Sequence, residues 1–441
     1  MRLSLAAVAA WSGARIAVGS AEAVVDGAAI DSRAVTPGAL FVGLPGDHVD
    51  GGRFAPQAAT AGAGAALIGE AAWADVGARL REGGVPTLVA ADPQAALQAA
   101  GRGALSHSGA AVAAITGSTG KTTTKDILVA MLRVAGARAE GTPGNHNTEI
   151  GVPLSLLSLP DGLDVAVVEM GMRGPGQIAL LATLAPPDVA CITSVGPVHL
   201  ELLGTVERIA AAKSELIAAL RPGGTAVVPA GESLLAAHVA ALPRDVHVLE
   251  FGDEPDAALD LRLTKAWQRR NAAASLLVCR ALGHEPPPGA VIDPELSAMR
   301  GQEWPLPGGG TLIEDCYNAN PIAMRAALTD LAGRSGRRVA VLGDMAELGP
   351  DEARFHRETG ALVESLGIDR LVTVGPRATG YAEGAAGVPA HAFSDAADAA
   401  DGLAALLAPG DVVLVKGSRS MALERVVAAL RPDPEAACPA S

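Results

Sequence analysis

The segment that most constrains this chain runs from Ala113 to Thr124, Ala-Ala-Ile-Thr-Gly-Ser-Thr-Gly-Lys-Thr-Thr-Thr. An apolar strand-like run ends in two glycines three residues apart, and a lysine and three threonines then open a helix. That is the context a phosphate loop requires. Gly117 and Gly120 let backbone N–H groups turn inward around phosphate oxygens, with Ser118 and Thr119 between them. Lys121 neutralises charge on the β and γ phosphates, the Thr122 hydroxyl is placed to ligate Mg²⁺, and Thr123 continues the first helical turn. The generic pattern asks for glycine where Ile115 stands. An ordinary glycine turn is the competing reading, but Gly-Lys-Thr between strand and helix favours ATP or GTP.

A phosphate loop belongs to a parallel sheet, and the surrounding chain has the matching rhythm. Short apolar runs at 164–168 and 189–193 alternate with helical spacing at 93–105 and 209–220. After Pro286-Pro287-Pro288-Gly289 the pattern restarts, with buried-strand runs at 338–342, 370–374 and 411–415. Strands that alternate with helices predict parallel sheets covered on both faces. The first 80 or so residues mix short strands with Gly- and Pro-rich turns. The expected fold class is therefore α/β in three domains, over residues 1–84, 85–288 and 289–441.

Composition narrows the partners. The net charge of −14 is spread without blocks, which argues against nucleic acid, since that would need clustered Lys and Arg. Aromatics are only 2% of the chain, so the cores must be built from small aliphatic side chains. Cys191, Cys279, Cys316 and Cys438 lack metal-ligand spacing and read as incidental thiols in a reducing compartment. The apolar stretch after Arg2 is broken by Trp11-Ser12-Gly13 and Arg15, and reads as an amphipathic first helix rather than a signal peptide. No segment reaches the ~18 apolar residues of a membrane span. A cytoplasmic protein is expected.

Glu169 ends the run at 164–168, where residues at strand carboxyl ends face a ligand crevice. An isolated acid there is often only a cap; beside a nucleotide it reads as a Mg²⁺ ligand. On their own, His199 in Gly-Pro-Val-His-Leu-Glu would be a turn histidine, and Lys213 a solvated helix position.

Taken together, these motifs resemble the Mur ligases of peptidoglycan synthesis. Thr116–Thr123 is similar to the phosphate loop of that family, which lacks the leading glycine of the generic pattern. The N-terminal Asp31-Ser32-Arg33, Pro37-Gly38 and Phe41-Val42 resemble its uridine-nucleotide domain. Gly144-Asn145-His146-Asn147-Thr148-Glu149 resembles its substrate-facing segment. Tyr317-Asn318-Ala319-Asn320-Pro321 is the signal most specific to members that add D-alanyl-D-alanine, supported by Leu342–Gly349 and Val413–Ser418. The resemblance spans roughly residues 1 to 430.

It implies an N-terminal uridine-nucleotide domain, a central ATPase domain and a C-terminal Rossmann-like domain. It also implies that ATP activates the carboxylate of UDP-MurNAc-tripeptide as an acyl phosphate, which D-alanyl-D-alanine then attacks. Lys121, Thr122 and the loop around them would hold ATP, with Asn271, Tyr317, Asn318, Asp344 and Lys416 contributing. Glu169 and His199 would ligate a second Mg²⁺ together with Lys213, which becomes carbamylated in this family. Ser32, Arg33, Asn147 and Thr148 would contact the UDP substrate, and a monomer is expected. Two departures stand out: only Asp253 to Arg270 separates the Phe251 region from the helix near Asn271, and Trp267-Gln268 replaces a usual His-Asn pair. The competing readings are another amide ligase of the superfamily (a folylpolyglutamate-type enzyme included), a catalytically impaired paralogue, and a P-loop switch or motor ATPase.

Overall fold

A computed structural model describes residues 1–255 and 258–431; Cys438 lies outside that range. The alternation read from the sequence resolves into three α/β units.

The central unit holds a six-stranded sheet in the spatial order His247–Phe251, Thr225–Pro229, Val189–Ile192, Ala111–Thr116, Val165–Glu169, Ala139–Gly141, with every pair parallel. Its four inner strands are almost wholly apolar and buried because helices cover both faces. Ile115, Val167 and Cys191 pack on one side against Ile127, Leu128 and Leu276; Ala114, Val168 and Ile192 pack on the other against Ile209 and Leu216. Ala111–Thr116 is the first strand of this sheet and lies in the middle of it, so the chain leaves in opposite directions on either side. The carboxyl ends flanking such a reversal form the ligand crevice of an open α/β sheet.

The N-terminal unit carries a five-stranded sheet, Arg15–Val18, Thr87–Ala90, Ala65–Gly69, Leu40–Val42 and Ala28–Ala29, and a two-stranded ribbon of Arg2–Ser4 with Val24–Asp26. The expected first helix begins later than Leu3: Arg2–Ser4 is extended, and the helix spans Leu5–Ser12 with Ser4 as its N-cap and Leu5 and Val8 buried. This unit docks on the central one. The Met1 ammonium donates to Leu159 O, and Ala28 N donates to Ser158 Oγ at 3.3 Å. The two share one continuous apolar core.

The C-terminal unit is a second six-stranded sheet, Gln302–Pro305, Thr311–Glu314, Val412–Lys416, Arg338–Gly343, Arg370–Val374 and Ala390–Phe393, with only the first strand antiparallel. Among the described residues after Phe251, Asp260–Leu261 pairs with Val291–Ile292, beyond the proline-rich turn, and not with the central sheet. Among the described residues no helix is long and apolar enough to cross a membrane.

Candidate active site

The phosphate loop is stitched to the neighbouring strand's exit. Ser118 N donates to Ser194 O at 2.9 Å, Thr119 N to Ser194 Oγ at 2.9 Å, and Ser118 Oγ to Gly196 O at 3.0 Å. Two glycines are sterically required. At Gly117 (φ 155°) a Cβ would overlap the Thr193 hydroxyl, and at Gly120 (φ 83°) it would lie 2.8 Å from Asn271 Oδ1. Asn271 is thereby placed against the loop, and its buried Nδ2 has no hydrogen-bond partner among the described residues. An unpaired buried donor beside a phosphate cradle is costly unless a ligand accepts from it.

Lys121 Nζ donates to Gly117 O at 2.9 Å. The Thr122 hydroxyl donates to Glu169 Oε2 at 2.7 Å, Asn147 Nδ2 donates to Oε1 at 2.7 Å, and Glu169 N donates to Thr142 Oγ1 at 3.1 Å. Glu169 is 1% exposed and stands opposite Ile115 in the sheet register, so strand pairing alone sets it beside the loop.

His199 and Lys213 converge on the same place. Lys213, on the helix Val206–Ala218, is 2% exposed and has no acidic partner among the described residues. Burial, and then the charge of Lys121, push its amine well below the usual lysine range. The Lys121 ammonium is lowered by burial, against the pull of Glu169 and with the push of Arg300. Burial also lowers His199, opposed by Glu347 and reinforced by Lys121 and Lys213. An anionic ligand would favour the charged form of Lys121, and phosphate is the ligand the loop is shaped for.

The C-terminal unit supplies groups at this crevice. The Arg300 guanidinium lies 3.9 Å over the Tyr317 ring, and the Tyr317 phenol, raised mainly by burial, feels Arg300, Glu169 and Asn145. Glu347 reaches the His199 Nδ1. The other expected residues are engaged within their own units. Lys416 Nζ is bound to Asp315 Oδ2 at 2.7 Å and Asn318 O at 3.1 Å. Asn318 Oδ1 accepts from Ala319 N, while Asp344, raised by burial, accepts from Arg377 N and Ala378 N at 3.1 and 2.8 Å. Arg33 is exposed and bidentate to Asp31, Ser32 is buried, and Thr148 Oγ1 accepts from Gly151 N. Gln268 Oε1 accepts from Lys265 N at the start of the helix Ala266–Ala281, and Trp267 packs near Gly301.

Arg300, Asn145, Asp315 and Glu347 were not singled out from the sequence. Glu347 lies inside the Leu342–Gly349 motif and Asp315 two residues before Tyr317; Arg300 carries no local signal beyond its place just before a strand.

A phosphate loop at the reversal point of a parallel sheet, with an acid on its threonine and Arg300 of a second unit acting on its lysine, defines a P-loop nucleotide enzyme that works between domains. The family comparisons refine the class. The Mur ligase middle domain matches residues 115–278, the Mur ligase glutamate ligase domain residues 300–419, and the Mur ligase family catalytic domain residues 24–105. The chain belongs to the Mur ligase family. It is 35% identical to the UDP-N-acetylmuramoyl-tripeptide–D-alanyl-D-alanine ligase of Synechocystis sp., covering 91% of this chain and 90% of that protein. It is 34% identical to the Escherichia coli ligase of the same name, covering 93% and 95%. The crystal structure of MurF from Acinetobacter baumannii superposes with a TM-score of 0.83 at 27% identity, covering 98% of this chain and 99% of that one. That of MurF ligase from Thermotoga maritima in complex with ADP gives 0.75 at 29%, covering 92% and 97%.

Proposed function

We propose that this chain is an ATP-dependent ligase that joins D-alanyl-D-alanine to UDP-MurNAc-tripeptide, releasing ADP and phosphate. The observation that carries it is the gathering of Lys121, Thr122, Glu169, His199 and Lys213 at one crevice, in a chain similar along more than nine-tenths of its length to relatives bearing that name.

The chemistry must bring two anions together. An oxygen of the tripeptide carboxylate attacks the γ phosphorus of ATP, the bond to the bridging oxygen breaks, and ADP leaves. The dipeptide amine then attacks the acyl carbon, the bond to the phosphate oxygen breaks, and the nitrogen gives up a proton. Lys121 and Arg300 neutralise the approach of carboxylate to phosphate. Tyr317 and Arg300 arrive from the other unit, so closure excludes the water that would hydrolyse the acyl phosphate.

The residues present fit divalent cations. Thr122 and Glu169 offer hard oxygen donors already in contact, the donor type Mg²⁺ selects. Among the described residues no three His, Cys, Asp or Glu side chains are grouped to hold a metal, so a further ligand must come from elsewhere. Lys213 supplies it if its amine, kept neutral by burial, attacks CO₂ and loses a proton to give an anionic carbamate. Bound Mg²⁺ would screen the phosphate charge. Ser32 and Arg33 belong to the uridine-nucleotide side of the substrate, and Asn147 and Thr148 to its path toward the crevice. The three functional units divide near the expected bounds of 1–84, 85–288 and 289–441, with Thr87–Ala90 counted in the N-terminal sheet and Val291–Ile292 with the central unit, and the enzyme works as a monomer in the cytoplasm.

An amine screen tests the assignment. With ATP, Mg²⁺ and UDP-MurNAc-tripeptide, D-alanyl-D-alanine should give phosphate release; release only with diaminopimelate, lysine or glutamate would place the chain elsewhere in the family.

A further inference from the structure

Two non-glycine residues with left-handed backbone face each other across the boundary between the central and C-terminal units: His199 at φ 53° and Glu347 at φ 63°. Such conformations persist only where the surroundings enforce them, and they concentrate at functional sites. The Glu347 carboxylate meets His199 Nδ1 and also takes Arg173 Nη2 at 3.3 Å, while its carbonyl accepts from Glu201 N at 3.3 Å. Gly349 packs against the same turn, where an added Cβ would stand 3.1 Å from Glu201 Cα.

The loop that presents Glu347 is held by its own unit. Met345 N donates to His356 Nε2 at 3.0 Å, and the fully buried His356 ring donates through Nδ1 to Glu352 O at 2.8 Å. Ala346 N donates to Ser418 Oγ at 2.9 Å, and Ser418 N to Asp344 O at 3.0 Å. The carboxylate is therefore rigidly placed on one body, and its target sits on another. With Nδ1–H directed at a carboxylate, the His199 tautomer is fixed and Nε2 is left as the ligand nitrogen.

We propose that Glu347 is a positioning residue that couples closure of the C-terminal unit to the orientation of His199, so that a cation site is complete only in the closed enzyme. This rests on the ligase function proposed above, with His199 as a ligand.

The test uses full-length protein with Mn²⁺ and a non-hydrolysable ATP analogue, measuring free Mn²⁺ by electron paramagnetic resonance and the radius of gyration by small-angle X-ray scattering. Glu347→Gly is the informative variant, because glycine accepts the positive φ without strain and the loop keeps its other anchors. It should melt no lower than the parent, bind Mn²⁺ about 10- to 100-fold more weakly, and contract less on binding the analogue. Glu347→Gln, whose amide oxygen still accepts from Nδ1–H, should recover most of both. If Glu347→Gly binds Mn²⁺ and contracts like the parent, the coupling is refuted while the ligase function stands. If the parent itself binds no Mn²⁺ with the analogue, the ligase function fails first.

Discussion

The Thr122 hydroxyl donates to Glu169 Oε2 at 2.7 Å across two adjacent parallel strands, which ties the first turn of the phosphate-loop helix to the acid at the end of the neighbouring strand. The contact joins a hydroxyl and a carboxylate where a phosphate-bound cation needs oxygen ligands. Glu169→Gln keeps the volume and a hydrogen-bonding amide but loses the charge. It is expected to fold with a near-parental melting temperature and to lose about a hundredfold or more in ATP-dependent turnover, read by coupled phosphate release. Parental turnover would remove Glu169 from the site.

Gly117 tests the loop's shape. Gly117→Ala meets both an unfavourable φ and the Thr193 hydroxyl, and should cost about 2 kcal/mol and weaken ATP-analogue binding at least tenfold. Gly109 also has a positive φ, 67°, but open space around its missing Cβ. Gly109→Ala should cost about 1 kcal/mol and leave binding unchanged. Thermal melts and calorimetric titration of both variants separate strain from clash.

Lys213 makes stability depend on pH. Its proton affinity in the folded state lies well below that of an ordinary lysine at 10.5, so between those limits the unfolded chain holds more protons. Stability therefore rises with pH through that window and falls as pH drops toward the folded value. Lys213→Met has no such titration. In CO₂-free buffer it should melt a few degrees above the parent at neutral pH, and the gap should close as pH approaches 10.5. It should also be inactive. A gap that is constant with pH would show that the amine is not held neutral by burial.

Much of this was legible in the sequence for a physical reason. A strand buried on both faces must be apolar along its length, so 111–116, 165–169, 189–192 and 338–343 announce themselves, and the Gly-Lys-Thr turn between strand and helix fixes the phosphate loop. Glu169 follows from its place at a strand end. What the sequence did not show depends on how units dock. Arg300 and Glu347 act on Lys121 and His199 from far along the chain, and no local periodicity encodes that meeting. Asp315 as the partner of Lys416, and Asp344 turned toward 377–378, are likewise set by neighbouring loops of the C-terminal unit. The shortened stretch after Phe251 finds its partner strand only beyond the proline-rich turn.

The most direct test is mass spectrometry of one incubation: purified protein with ATP, Mg²⁺, UDP-MurNAc-tripeptide and D-alanyl-D-alanine, run beside Lys121→Ala. The parent should yield a UDP-linked product heavier by one dipeptide less one water, with equimolar ADP and phosphate, and Lys121→Ala should yield none. A folded parent that binds ATP yet forms no such product, or a Lys121→Ala variant that forms as much as the parent, would contradict it.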